Sequence, residues 1–118
     1  MAAKDELGRW GEQLVAERLT EQGYAVLDRN WRCEQGEIDL VVQRGDDTVF
    51  VEVKTRSGTA FGHPFEAITV AKLARLRRLA GEWCEQHGAT RRRIRIDAVA
   101  VLAPPGAAPT IEHLEGVF

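Results

Sequence analysis

The 118-residue chain has few of the side chains that build a soft-ligand metal centre. Its two cysteines, Cys33 and Cys84, are not spaced as zinc ligands are, and its three histidines show no ligand spacing either. Cysteine- or histidine-based metal chemistry is therefore not expected. Cys84 falls among the apolar positions of a predicted helix, where we expect it to pack as a small apolar side chain.

Long apolar runs are also absent. No stretch approaches the roughly 20 apolar residues that a membrane-spanning helix needs, so no membrane partner is expected. Residues 1–6 are polar and no apolar stretch follows them. We therefore expect no signal peptide, a cytoplasmic location and reduced thiols. With 44% hydrophobic residues and neither a repeat nor a linker, the chain is expected to form one domain over residues 1–118.

Charge is unevenly distributed along the chain. The net charge is −2, but residues 54–95 contain ten Lys or Arg against three Glu, and the remainder is correspondingly acidic. Such a basic segment indicates either a nucleic-acid-binding surface or a solvated helix face followed by an arginine-rich loop. Its candidate phosphate contacts include Arg56 and the run of Arg91, Arg92 and Arg93.

The apolar pattern predicts an α/β fold with the order α-β-β-β-α-β. Leu7, Trp10, Leu14, Val15 and Leu19 recur at helical spacing, and Gly8 and Gly11 in this helix suggest the close approach of another backbone. Helices are predicted over 5–22 and 69–87, strands over 24–32, 37–44, 48–55 and 94–102, and a short edge strand over 110–114. The first three strands should be antiparallel, and the helical connection allows a parallel, right-handed crossover to the fourth.

Two predicted strands carry acidic residues where apolar residues would be more stable. If the loop between them is Gly45-Asp46, or a four-residue loop in the same register, Asp39 lies opposite Glu52 on neighbouring strands. Alternation places Glu37, Asp39, Glu52 and Lys54 on one face of the sheet. Ile38, Leu40, Val42, Val49, Val51 and Val53 then cover the other face and supply core.

Two carboxylates at this spacing repel each other unless a cation or a proton lies between them. Mg²⁺ prefers oxygen ligands and usually takes one or two carboxylates, several waters and a phosphate oxygen. A metal so held can activate water for phosphodiester hydrolysis, with the Lys54 ammonium nearby. The alternative is a surface salt-bridge ladder in which Lys54 pairs with Glu37, which would contribute little to stability.

These residues resemble the signature of the PD-(D/E)XK nuclease superfamily, with Asp39 followed after a hairpin by Glu52-Val53-Lys54 and with Ile38 in place of the proline. The match is closer to the YraN-like family of bacterial proteins and extends over most of the chain. It includes Gly8, Gly11 and Glu12, Asn30-Trp31-Arg32, the GEIDL and FVEVKTR strings, Lys72 and Arg95-Ile96-Asp97.

The resemblance implies a mixed sheet flanked by helices, like that of Holliday-junction resolvases and restriction endonucleases. By it, Asp39, Glu52 and the Val53 carbonyl would bind Mg²⁺ or Mn²⁺, and Lys54 would assist the attacking water. Glu12 would contact the metal or its water shell. Lys72 is implied to contact a phosphate, and Arg56 and Arg75 are further candidates for nucleic-acid binding. Glu37 is either an outer partner of Lys54 or the polar end of a strand.

Three functions remain open from the sequence, of which the third, a scaffold protein unrelated to nucleic acid, is disfavoured by the basic segment. The first is a metal-dependent DNA endonuclease, with branched or flapped DNA as candidate substrates. The second is a nucleic-acid-binding module on a nuclease fold that is silent or needs a partner. A homodimer is an open alternative, with the basic side of the second helix and the last strand as candidate contacts.

Overall fold

The computed structural model describes residues 3–60, 62–89 and 93–118, with side chains from residue 6 onward. Its sheet has five strands in the order β1-β2-β3-β4-β5, and a helix packs on each face. The elements are α1 (Ala3–Glu21), β1 (Ala25–Cys33), β2 (Gly36–Arg44), β3 (Asp47–Arg56), a 3₁₀ turn (Pro64–Ala67), α2 (Val70–Gln86), β4 (Ile94–Leu102) and β5 (Thr110–Leu114). The predicted fold is confirmed, and the 3₁₀ turn is an addition to it.

Helix α1 packs on the sheet along a line of residues spaced four apart. Gly11, Val15 and Leu19 are buried, and a Cβ at Gly11 would collide with the Thr55 side chain of β3. The predicted close approach to α1 is thus correct at Gly11, although the group that approaches is the Thr55 side chain and not a backbone. It is wrong at Gly8, where a Cβ would meet nothing within 4 Å in the part of the chain that the structure describes.

The prediction that Trp10 is a core residue is also wrong, because its side chain is 43% exposed. Trp10 is one residue before Gly11 and therefore about 100° away from the buried line around the helix. In contrast, Trp83 of α2 is buried as expected, and its ring packs edge-on against Phe50. None of the described helices is long and apolar enough to cross a membrane.

The β2–β3 hairpin has the predicted register. Arg44 pairs with Asp47 around a two-residue loop, and the ladder continues to the pair Leu40–Val51. Gly45 has a φ of 59°, a left-handed conformation that this tight turn requires and that glycine adopts at little cost. One step beyond Leu40–Val51, the same register brings Asp39 and Glu52 to the end of the hairpin.

Each face of the sheet has its own apolar cluster. The cluster under α1 contains Leu40, Val42, Val49, Val51 and Val53, as alternation predicted. The cluster under α2 contains Val41 and Phe50. Ile38 was predicted on the same face as Leu40 and Val42 but belongs to the α2 cluster. It lies beyond the end of the β2–β3 ladder and pairs with Trp31 of β1, whose side chain packs against that same cluster.

Helix α2 connects two parallel strands across one face of the sheet. The Thr69 hydroxyl caps it by accepting a hydrogen bond from the Lys72 amide. Its buried side chains are Leu76, Leu79, Ala80, Trp83 and Cys84. Strand β4 pairs in parallel with β3, from Thr48–Ile94 to Arg56–Leu102, so α2 must cross the face of the sheet. Its first turns lie near Asp39 and Glu52, at the end of the β2–β3 hairpin.

The C-terminal segment is attached to the sheet by a fully buried aspartate. The carboxylate of Asp97 accepts hydrogen bonds from Arg95 at 2.9 and 3.0 Å, from His113 Nε2 at 2.7 Å and from the Gly116 amide at 3.0 Å. Burial by itself would raise the pKa of Asp97, but these hydrogen bonds outweigh it and the pKa is lowered. Asp97 is therefore a fully satisfied structural anion.

Replacing each α1 glycine by alanine should have opposite effects on stability. Gly8→Ala should stabilise the fold by about 0.5–1 kcal/mol, because alanine is the better helix former and the added methyl contacts none of the described residues. Gly11→Ala should destabilise it by about 1–3 kcal/mol through overpacking against Thr55. Urea unfolding of both variants beside the wild type measures this difference. Equal effects of the two substitutions would contradict the packing described for α1.

Candidate active site

The candidate site begins where the β2–β3 hairpin stops pairing. In place of a further ladder bond, the Val53 amide donates a hydrogen bond of 2.8 Å to the Asp39 carboxylate. Glu52 is the residue before this amide, so its side chain leaves the strand beside Asp39. The two carboxylates predicted to lie together are thus brought together at the end of the hairpin.

Asp39 is buried, with 9% of its surface exposed. Burial, followed by the negative charge of Glu52, raises the pKa of Asp39 to about 8, and the hydrogen bond from Val53 opposes this only in part. Glu12 and Glu37 add smaller contributions in the same direction. The surroundings of Asp39 therefore favour its protonated form more strongly than water does.

Glu52 experiences both burial and nearby positive charge. Burial raises its pKa, whereas Lys72 and Arg75 of α2, and Lys54 of β3, act to lower it. A cavity of about 190 Å³ separates the sheet from α2 at this point. It is lined by Glu37, Asp39, Glu52, Lys72, Arg75, Leu76 and Leu79. Lys72 and Arg75, both predicted from the sequence, thus face the carboxylates across a small polar space.

Lys72 is held in place by the chain that precedes α2. Its Nζ donates a hydrogen bond of 2.8 Å to the carbonyl of Ala67, the last residue of the 3₁₀ turn. The turn itself begins with a capping box between His63 and Glu66 and with Pro64 at its first position. The connection from β3 to α2 therefore positions the ammonium group near Glu52.

The other side of the site lies between β3 and α1. A second cavity, of about 470 Å³, is lined by Leu7, Gly8, Glu12, Val53, Lys54, Thr55, Arg56, Ser57, Gly58 and Ala60. Glu12 and Lys54 both line it, and the charges of both act on the pKa of Glu52. The four residues predicted to be catalytic, Glu12, Asp39, Glu52 and Lys54, thus form one electrostatic cluster at the end of the hairpin.

Glu37 has a partner that the sequence did not indicate. Its carboxylate accepts a hydrogen bond of 2.8 Å from Nε of Arg32, the residue with which it pairs between β1 and β2. Arg93 forms an ion pair with Asp47. Arg91 and Arg92, predicted as phosphate contacts, lie outside the described residues.

Sequence reasoning missed the role of Asn30. The Asn30 side-chain amide donates a hydrogen bond of 2.7 Å to Glu12 Oε1, and its backbone has a φ of 50° within β1. Asparagine tolerates this left-handed conformation better than most residues. Its presence inside a strand, where it is otherwise disfavoured, is the signal that could have identified it. Asn30 thus links the β1 backbone to the carboxylate of α1.

The donor set fits a hard divalent ion that keeps much of its own water. Among the described residues, no three His, Cys, Asp or Glu side chains cluster as a complete metal centre. Asp39, Glu52 and the carbonyl of Val53 provide oxygen ligands only, which suits Mg²⁺ or Mn²⁺ and leaves positions for water and a phosphate oxygen. The buried pair of carboxyl groups, which repel each other when both are ionised, is the observation that favours a cation here.

Asp39→Asn should raise stability at pH 8. Because the pKa of Asp39 is raised to about 8, the folded chain binds more protons than the unfolded chain from about pH 4 upward, so this group's contribution to stability falls as pH rises through that window. Asparagine removes the penalty and can still accept the Val53 hydrogen bond.

We therefore expect Asp39→Asn to raise the melting temperature at pH 8 by about 4–8 °C, which corresponds to about 1 kcal/mol, and to change it less at pH 5. Thermal melts of both proteins without divalent ions measure this. A variant that unfolds more easily at both pH values would identify Asp39 as part of a structural ion pair.

Comparisons with known proteins place the chain in a family. The model of the family described as "Uncharacterised protein family UPF0102" matches residues 11–101. A UPF0102 protein of Arthrobacter sp. is 56% identical over 117 residues, which are 99% of each chain. A UPF0102 protein of Frankia alni is 51% identical over 118 residues, covering 100% of this chain and 98% of the relative.

Among solved structures, the chain is similar to Pyrococcus furiosus SfsA in complex with Ca²⁺. The identity is 14% and the TM-score 0.39, over 95% of this chain and 63% of that one. The chain therefore spans less than two thirds of that protein's length. The family match and the high identities confirm the resemblance noted from the sequence. The chain belongs to the protein family UPF0102, the YraN-like family.

Proposed function

We propose that this protein is a metal-dependent endonuclease that hydrolyses phosphodiester bonds in DNA. The observation that carries the proposal is the buried pair of Asp39 and Glu52, whose mutual repulsion a divalent cation would relieve. Neither side chain contributes to the apolar clusters, and the pKa of each is raised. Perturbed carboxylates in a cleft are typical of functional sites.

Asp39, Glu52 and the Val53 carbonyl would hold Mg²⁺ or Mn²⁺. The bound ion would supply a more acidic water and neutralise charge on the scissile phosphate. The chain's own residues complete the site. Lys54 would hold a proton near the attacking water or stabilise the negative charge that develops on the phosphate oxygens. Glu12, fixed by Asn30, would orient the water shell.

Lys72 and Arg75 would bind the phosphate group that carries the scissile bond. Both lie across the small cavity from Glu52, where their charges act on its pKa. Arginine can bind a phosphate through two parallel hydrogen bonds, and lysine acts as a point charge. This pairing of cations and carboxylates favours a catalytic site over a purely binding surface, because carboxylates facing a polyanion weaken binding unless a metal offsets their charge.

The first test is calorimetric titration of Mn²⁺ into the wild type, Asp39→Asn and Glu52→Gln. We expect binding in the wild type and its loss in both variants. Glu21→Gln, an exposed carboxylate at the C-terminal end of α1, is the control and should bind as the wild type does. Binding that survives both site substitutions would contradict the proposed metal ligands.

Cleavage tests the role of Lys54 separately. Labelled flaps, four-way junctions, single strands and duplexes should be incubated with the Mn²⁺-loaded wild type and with Lys54→Met. We expect Lys54→Met to keep its Mn²⁺ affinity and to lose about 10²-fold or more in cleavage rate. Metal binding without cleavage of any substrate would instead favour a nucleic-acid-binding module on this fold.

A further inference from the structure

The cavity between α1 and the end of β3 contains a glycine that the fold does not require. Gly8 lies inside α1, where glycine costs about 1 kcal/mol relative to alanine. The nearby Gly11 is explained by Thr55, but a Cβ at Gly8 would meet no atom of the described residues within 4 Å. Gly8 instead lines the cavity of about 470 Å³. Because glycine has no side chain, a ligand in this cavity could approach the backbone of α1 closely.

The lining of this cavity combines apolar and cationic surface. Leu7, Val53 and Ala60 provide apolar contacts, and Lys54 and Arg56 provide positive charge. Such a lining fits a ligand with a flat apolar part and an anionic part, which is the chemistry of a nucleotide. The size agrees, because clefts of about 300–1,000 Å³ enclose a ligand of this size, whereas a duplex lies across a surface.

Arg56 supplies the anion contact. Its Nε is buried and has no hydrogen-bond partner among the residues that the structure describes. A buried donor without an acceptor is costly, and an incoming phosphate would supply that acceptor. Arg56 lies two residues beyond Lys54 on β3, about 6.6–6.8 Å further along the strand. This spacing is comparable to that of adjacent phosphates along an extended nucleic-acid strand.

Glu12 determines which way the ligand lies. Glu12 and Lys54 both line the cavity, and the charge of Glu12 acts on the pKa values of Asp39 and Glu52. A phosphate would be repelled from the part of the cavity near Glu12 unless a metal were bound. The phosphate therefore belongs at the opposite end, near Arg56 and the loop residues Ser57 and Gly58.

We propose that this cavity binds one unpaired nucleotide of a DNA strand, next to the phosphate that the carboxylate site would cleave. The inference rests on the proposed function and specifies its substrate class as DNA with a single-stranded segment. Gly8 admits the nucleotide, Arg56 binds its phosphate, and the apolar lining contacts its base or sugar. A duplex, whose bases are paired and stacked, does not enter.

The test measures binding without metal, so that it does not depend on catalysis. A fluorescent single-stranded oligothymidine and a duplex of equal length are titrated with the protein in EDTA, and anisotropy gives Kd. Gly8→Leu fills the cavity with a good helix former and should weaken single-strand binding by about tenfold or more, while the weaker duplex binding changes little. Gly8→Ala, which adds one methyl group, should weaken it less and melt no lower than the wild type.

Arg56→Gln should also weaken single-strand binding and should reduce the slope of log Kd against log salt by about 0.7, the value for one phosphate contact on a single strand. Arg18→Gln, which removes an equal charge from the exposed C-terminal part of α1, is the control and should keep the wild-type slope. If Gly8→Leu and Arg56→Gln both bind single strands as the wild type does, the inference is overturned.

The two proposals can fail separately. If Mn²⁺ binds and cleavage occurs while the Gly8 variants are unaffected in single-strand binding, the cavity is not the nucleotide site and the nuclease function stands. If single-strand binding depends on Gly8 and Arg56 but no Mn²⁺ binds, the nuclease function fails and the binding cavity stands.

Discussion

The hydrogen bond from the Val53 amide to the Asp39 carboxylate is the contact around which the candidate site is arranged. It occurs where the β2–β3 ladder ends, so a side chain replaces a backbone carbonyl as acceptor. This holds Asp39 against β3 and under α2, in a position too buried for a carboxylate to be charged without a partner. The positions of Glu52, Lys54 and the first turns of α2 relative to one another follow from the strand that this bond fixes.

Two buried aspartates of the same sheet show what partners do to a carboxylate. Asp97 is fully buried, but donors from Arg95, His113 and the Gly116 amide surround it and its pKa is lowered. Asp39 is slightly more exposed, yet its neighbours are carboxylates and its pKa is raised to about 8. Burial acts to raise the pKa of both carboxyl groups, and only the partners of Asp97 outweigh it. The fold itself satisfies the charge on Asp97, whereas the hydrogen bond from the Val53 amide only partly offsets the burial of Asp39 and the charge of Glu52 beside it.

Much of this site could be predicted because its geometry depends on local rules. A two-residue turn at Gly45 fixes the register of the hairpin, and the register places Asp39 beside Glu52. Alternation along β3 separates Val49, Val51 and Val53 from Phe50 and Glu52. These rules apply only while a strand remains paired on a regular sheet. Ile38 lies just past that limit, and its face was predicted wrongly.

What the sequence did not predict depends on contacts between elements that are distant along the chain. Gly8 and Gly11 both lie inside the predicted helix and look alike in the sequence, and only the contact of Gly11 with Thr55 of β3 distinguishes them. Trp10 was assigned to the core because its spacing is helical, but the buried side of α1 is the one that carries Gly11, Val15 and Leu19. The hydrogen bond from Asn30 to Glu12 likewise joins residues on different elements through an unusual backbone angle.

The contrast between the two glycines also separates a position of α1 where the described structure requires glycine from one where it does not. At Gly11 the missing side chain is used by the protein itself, since Thr55 occupies the space. At Gly8 the same loss of helix stability is offset by no contact among the described residues. Gly8 lies one helical turn before Glu12, and both line the same cavity. Glycine at position 8 therefore makes this part of α1 less stable than alanine would. The position lies beside the cavity in which we propose that a nucleotide binds.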